Sequence, residues 1–328
     1  MNKYLYDVVL NSTGAELAVR GEVIQSLWSG YGEIVRLLLE GAAVPSVVLK
    51  YVSLPDEVDH PRGWNTDRSH QRKVTSYAVE MAWYKGWSSR CGDACKVPHC
   101  YAAVADGQDC LMVLEDLDDA GFPLRKSTLS RIEIQLCLRW LANFHATFIG
   151  EAPTDLWPVG SYWHLATRSD ELAAMEEGAL KQAAGAIDAR LNNCCFQTLV
   201  HGDAKVANFC FSEDGNRVAA VDFQYVGGGC GMKDVAYFLG GCLDEDELED
   251  SEAELLDYYF NVLRVSLQGK NKHINWPELE QEWRSLFPLA WTDFHRFLLG
   301  WMPGHWKVNN YSRRIMTEVL AQLNNSTN

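Results

Sequence analysis

The stretch Leu199-Val200-His201-Gly202-Asp203-Ala204-Lys205-Val206-Ala207-Asn208-Phe209-Cys210-Phe211, followed by Val221-Asp222-Phe223-Gln224, decides how this chain is read. Apolar runs at 208–211 and 217–221 flank Ser212-Glu213-Asp214-Gly215-Asn216, a turn composition, so the segment is expected to form a β-hairpin. Its open end then carries Asn208 at the start of one strand and Asp222 at the end of the other. An amide oxygen and a carboxylate placed side by side are hard donors of the kind Mg²⁺ takes, with water and phosphate oxygens completing its shell. Asp203 stands five residues before Asn208, on the loop entering the hairpin, where its carboxylate is expected to face a hydroxyl approaching a metal-bound phosphate. Asp214 and Asn216 are ordinary turn residues. Polar residues at both mouths of an apolar hairpin need another explanation.

Toward the N-terminus, Glu22–Trp28 and Glu33–Glu40 are strand-length runs separated by Ser29-Gly30-Tyr31-Gly32, and Val44–Val52 follows a further glycine turn. The three make an antiparallel meander. Arg72–Trp87 places Val74, Tyr77, Ala78, Met81 and Tyr84 at the 3.6-residue period of a helix, and Leu111–Leu114 is an apolar strand running into Glu115-Asp116. From about residue 118 the pattern turns helical. Ser130 and Glu133 form a capping box, Leu129 and Ile134 the accompanying staple, and Ile134, Cys137, Leu141, Phe144 and Phe148 one apolar face that Gly150 ends. A second helical stretch lies near 169–190, and helices follow the hairpin to the end. The expected fold class is α+β: a small β-rich N-lobe with one main helix over residues 1–117, and a larger, mainly helical C-lobe over 118–328.

His201-x-Asp203-x-Lys205-x-x-Asn208 with Asp222-Phe223-Gln224 resembles the catalytic and metal-binding loops of the protein-kinase-like superfamily, and especially its small-molecule branch. That branch holds aminoglycoside phosphotransferases, choline kinases and ecdysteroid-kinase-like proteins. The resemblance implies a bilobal kinase fold with ATP and Mg²⁺ as cofactors. Asp203 would accept the hydroxyl proton, Lys205 steady the transferred phosphate, and Asn208 and Asp222 hold the metal. Gln224 stands where protein kinases have glycine, which favours the small-molecule branch. Gly30-Tyr31-Gly32 resembles a shortened nucleotide-covering loop, although Val35 occupies the place of its third glycine. Lys50, on the third strand, matches the lysine that contacts the α/β-phosphates, and Glu80 its ion-pair partner. Leu114-Glu115-Asp116-Leu117 resembles the hinge, so the backbones of Glu115 and Leu117 are expected to meet adenine. Leu141-Ala142-Asn143-Phe144-His145-Ala146 matches a helix segment of the branch, and Asp234-Val235-Ala236-Tyr237 a structural aspartate motif. His145, His201 and Asp234 read as braces. Gly227-Gly228-Gly229-Cys230-Gly231 reads either as a mobile segment or as a close-packed turn.

Composition narrows the alternatives. Acidic residues outnumber Lys plus Arg by 44 to 29, and the net charge of −15 has the wrong sign for clamping a nucleic-acid backbone. No signal core opens the chain and no run of 18 apolar residues suits a membrane span, so a cytoplasmic protein is expected. Nine acids and no base between Asp244 and Asp257 read as a solvated helix face. Ten cysteines in 328 residues do not make a disulfide scaffold, and Cys91, Cys95, His99 and Cys100 lack the paired spacing of a zinc module. No Ala-Pro-Glu segment follows Asp222, which disfavours a protein substrate. The expectation is an ATP- and Mg²⁺-dependent phosphotransferase acting on a small-molecule hydroxyl acceptor, an amino alcohol, aminoglycoside-like or sterol-like; the alternative is a catalytically silent nucleotide-binding scaffold of the same fold. Among the many tryptophans of the C-terminal part, Trp301-Met302-Pro303-Gly304-His305-Trp306-Lys307 is the segment expected to contribute to the acceptor pocket.

Overall fold

Alternating side chains and glycine turns build a five-stranded antiparallel sheet in the first part of the chain. The computed structural model describes residues 3–27, 30–53, 67–107, 109–270 and 274–325. The strands are β1 (Leu17–Ser26), β2 (Gly32–Glu40), β3 (Ser46–Ser53), β4 (Cys100–Asp106) and β5 (Asp109–Glu115), in the order β1-β2-β3-β5-β4. The expected meander is therefore present; Trp28 and Ser29 of its first turn lie outside the described residues. β1 begins earlier than its sequence suggests, because bulges between Arg20 and Gln25 interrupt the alternation that would have marked it.

Two helices belong with this sheet. α1 (Lys3–Thr13) has only Leu5 and Val9 to bury, one turn apart, and both join a core with Val35, Leu37, Val47, Leu49 and Val113. That stripe is too short to read as a helix in sequence, and neither α1 nor β4 was expected. α2 (Asp67–Gly86) serves the other face, where Tyr77 meets Leu27, Tyr31 and Val52. Since alternate residues of a strand face opposite sides, Val47 and Leu49 of β3 enter the α1 core while Lys50 and Val52 face α2.

The chain divides into two compact units: Met1–Arg125 with Cys210–Gln224, and Lys126–Phe209 with Tyr225–Asn328. Residues 210–224 are tied to the sheet unit by the Leu124–Phe211 bridge and by the Ala220 N–H, which donates to the Lys96 carbonyl at 3.0 Å. The hairpin strands are β7 (Phe209–Phe211) and β8 (Val218–Ala220), after a short β6 (Thr198–Val200).

The second unit is mainly helical, with α3 (Arg131–Phe148), α4 (Ser169–Ala174), α5 (Ala179–Asn192), α6 (Met232–Cys242), α7 (Glu245–Gly269), α8 (Trp276–Trp301) and α9 (Asn310–Asn325). Ser130 and Glu133 cap α3 reciprocally, as the sequence predicts. The acidic run begins α7, capped by Asp244 and Glu247, with its leucines buried and most of its acids exposed. Gly227–Gly229 forms β9, paired antiparallel with β6. A Cβ on Gly227 would lie 2.2 Å from the Trp157 carbonyl oxygen, so close backbone approach accounts for the glycine there. Among the described residues no helix is long and apolar enough to cross a membrane, and no three His, Cys, Asp or Glu side chains gather as a metal site. None of the ten cysteines is joined in a disulfide.

Candidate active site

In the sheet unit the chemistry converges on α2. Lys50, 4% exposed, donates from Nζ to Glu80 Oε2 at 2.6 Å and reaches Asp222 Oδ1 at 3.5 Å. Burial opposes the ammonium, but Glu80 and then Asp222 outweigh it, so Lys50 holds its proton above the ordinary lysine value. A buried pair of this kind adds little net stability as a unit, yet removing one partner strands a charge in a poor solvent. Asp222 itself takes φ +68°, the left-handed region that a non-glycine residue seldom adopts. Its neighbours hold it there. Phe223 stacks on Trp83 of α2 with ring centroids 4.5 Å apart, and Gln224 Oε1 accepts from Lys73 Nζ at 2.9 Å and from the Ser76 hydroxyl at 3.2 Å.

Gly30 and Gly32 sit at the turn into β2, with φ +74° and +135°. A Cβ on Gly32 would fall 2.0 Å from the Tyr51 carbonyl oxygen, whereas one on Gly30 would meet open space. Sheet packing therefore demands Gly32, and only the backbone conformation favours Gly30. Glu115 ends β5 with its carboxylate on Lys96 Nζ at 2.6 Å and the His99 N–H at 2.9 Å. Leu117 is buried with Phe122, Cys210 and Ala219, and its carbonyl accepts the Phe122 N–H. Between them Asp116 binds Arg36 and Ser46, an interaction internal to the sheet unit.

In the helical unit Asp203 is the centre. Its Oδ2 accepts from Lys205 Nζ at 2.8 Å, its Oδ1 from the Tyr237 hydroxyl at 3.1 Å, and its backbone carbonyl from Asn208 Nδ2 at 2.8 Å. The same Asn208 nitrogen lies 3.3 Å from Asp203 Oδ2. Burial, and then the adjacent Asp203 carboxylate, push the Tyr237 phenol well above its ordinary value, which keeps it a donor. The loop is fixed from beneath: Asp234 accepts the His201 N–H at 2.6 Å and the Gly202 N–H at 2.9 Å. His145 spans Asp234 and the Tyr259 hydroxyl, at 3.1 and 2.7 Å. The bracing roles read for Asp234 and His145 are what these contacts describe. Tyr237 is the functional neighbour the sequence reading missed. Its signal was available, since it follows Asp234 by three residues on α6 and so shares a helix face with it.

The structure thus gathers Lys50, Glu80 and Asp222 in one unit and Asp203, Lys205 and Asn208 in the other. A family model described as ecdysteroid kinase-like matches residues 80–149 and 160–271, more than half of the chain. The chain belongs to the ecdysteroid kinase-like family. Glu80, Asp203, Lys205, Asn208 and Asp222 fall inside the match, and Gly30, Gly32 and Lys50 precede it. Among solved structures, a choline kinase from Cryptosporidium parvum Iowa II is similar at 9% identity and TM-score 0.52, covering 98% of this chain and 95% of its own. The GDP complex of aminoglycoside 2'-phosphotransferase-IIIa is similar at 10% identity and TM-score 0.50, covering 98% and 99%. At these identities the likeness is one of fold. The family and these neighbours are protein-kinase-like small-molecule kinases, and the α+β fold with an N-terminal antiparallel sheet and a larger helical C-terminal part is theirs. No curated protein sequence matches the chain.

Proposed function

We propose that this protein transfers the γ-phosphate of ATP, with Mg²⁺, to a hydroxyl of a small molecule. The observation that carries the reading is the Asp203 carboxylate, buried yet held by Lys205, Asn208 and Tyr237 on a loop pinned by Asp234. A carboxylate so constrained is oriented before substrate arrives, and phosphoryl transfer depends mainly on such positioning and on electrostatic stabilisation.

The donor set suits magnesium. Asn208 commits its amide nitrogen to Asp203, which leaves its oxygen as the ligand atom, and Asp222 has a carboxylate about a third exposed. Magnesium, when bound, would offset charge on the phosphate oxygens. Asp203 orients the acceptor hydroxyl and takes its proton as the oxygen attacks. Lys205, its side chain 43% exposed, has the freedom to turn from Asp203 toward the transferred phosphoryl group. Lys50, kept charged by its two carboxylates, serves the α/β-phosphates. Gly30 and Gly32 lie over the nucleotide, and because the Glu115 and Leu117 side chains are engaged elsewhere, their role toward adenine falls to the backbone.

Asp203→Asn tests the assignment. The variant should bind Mg·ATP analogues with unchanged affinity by calorimetry, while turnover falls by ~10²–10⁴, the usual loss of a general base. Turnover at the parent level would overturn the role of Asp203.

A further inference from the structure

The loop between α8 and α9 carries a lysine, Lys307, surrounded by aromatic rings. Lys307 Nζ lies 5.2 Å from the ring centroid of Tyr237, 5.3 Å from Phe294 and 5.5 Å from Trp306. Three aromatic faces around an ammonium are the arrangement that binds quaternary or alkylammonium ligands. Here the protein fills that arrangement with its own side chain. Gly241 of α6 makes the space, since a Cβ there would come 3.3 Å from Nζ. The backbone is fixed on both sides: the Lys307 N–H donates to His305 Nδ1 at 3.2 Å, and its carbonyl accepts the Ser312 hydroxyl at 2.8 Å.

Two features connect this lysine to the chemistry. Tyr237, one of the three rings, donates its hydroxyl to Asp203, so a single side chain touches both the base and the cage. Among the described residues no carboxylate forms an ion pair with Lys307, whereas Lys50 has two. A half-buried ammonium with aromatic faces and no carboxylate at ion-pairing distance favours an anion and disfavours a second cation. Burial, opposed by Cys242 and Asp203, lowers the Lys307 pKa to about 8, consistent with a charge that lacks a close partner.

We propose that Lys307 selects the acceptor, and that the acceptor carries an anionic group such as a carboxylate alongside its hydroxyl instead of an ammonium. The proposal rests on the phosphotransfer reading above.

The test uses the full chain with Mg·ATP near neutral pH and a matched acceptor series: 4-(hydroxymethyl)benzoate, 4-(hydroxymethyl)benzamide and 4-(hydroxymethyl)benzylamine, with choline and kanamycin alongside. The parent should favour the benzoate over the benzylamine by at least ~30-fold in kcat/KM, the scale that like-charge exclusion allows. Lys307→Met should bring the three within ~3-fold of one another, leaving KM for ATP unchanged, because only the charge discrimination is removed. Lys307→Arg should retain the preference for the acid, a rescue that a purely structural role does not predict. Preference for the benzylamine, choline or kanamycin would overturn the proposal and leave the phosphotransfer reading standing. An acid preference that survives in Lys307→Met would also overturn it. Transfer to none of the five would overturn the proposed acceptor class and leave the phosphotransfer reading, which does not depend on these acceptors, standing.

Discussion

Lys50 and Lys307 are two ammonium groups removed from water in opposite ways. Lys50 lies between Glu80 and Asp222 and is held above the ordinary value, whereas Lys307 lies among rings and titrates at about 8. A lysine with a depressed pKa is charged below that value and neutral above it, so acceptor discrimination should be full near neutrality and fade as pH rises through 8. Among the described residues the titratable groups that interact with Lys307 are the Cys242 thiol, Asp203, Lys205 and His305; burial pushes the thiol up to about 12 and, with the Lys307 charge, lowers the imidazole, so both stay neutral across that window. Rate profiles for the matched acid and amide acceptors should therefore converge above pH 8 while the affinity for Mg·ATP, which under the proposed function rests on Lys50, stays level. Parallel profiles would refute the assignment. At Lys50 the expectation concerns stability as well. Glu80→Gln leaves the ammonium with only the longer contact to Asp222, and should lower unfolding stability by about 3 kcal/mol, as removal of one member of a buried pair does. A denaturation midpoint equal to that of the parent would show the pair to be dispensable. Lys50 and Glu80 were legible because each follows a recognisable element. Lys307 was legible only as part of an aromatic segment, since its three ring partners come from α6, α8 and its own loop.

Among the elements, legibility followed how locally each is specified. α3 was readable because a capping box and an apolar stripe are both contained in its own sequence. β9 was not, for three glycines show neither periodicity nor side-chain pattern, and its pairing with β6 depends on residues nearly thirty positions away. The hairpin around Ser212–Asn216 was readable from its turn, while the grip of α2 on Phe223 and Gln224 was not, because nothing local marks Trp83 or Ser76 as partners. The glycine turn before β2 divides into two cases that a substitution separates. Gly32→Ala should cost roughly 3 kcal/mol or more through a forced backbone clash. Gly30→Ala should cost about 1 kcal/mol, the left-handed penalty alone. Thermal unfolding of both variants checks the order, and equal losses would mean that β2 shifts to relieve the contact with Tyr51.

For the whole molecule, the formal charge of −15 turned out to be uninformative about chemistry, since the densest run of acids lies on α7 with most of its carboxylates in solvent. The linear motif from His201 to Gln224 was the better guide, and it also hides a division that sequence alone does not reveal: residues up to 209 belong to one unit, the next fifteen to the other. The sheet unit is thus not finished when its five strands have been made. It still lacks the segment that supplies Phe223 to Trp83, Gln224 to Ser76 and Asp222 to Lys50. On the ribosome, at ~5–20 residues per second, the first 125 residues wait about 5–20 s for residue 224. During that interval Lys50 and Glu80 have each other but not Asp222, and the indole of Trp83 has no Phe223 ring against it. A nascent chain of this protein therefore completes the α2 face of its sheet unit only when residues 210–224 arrive.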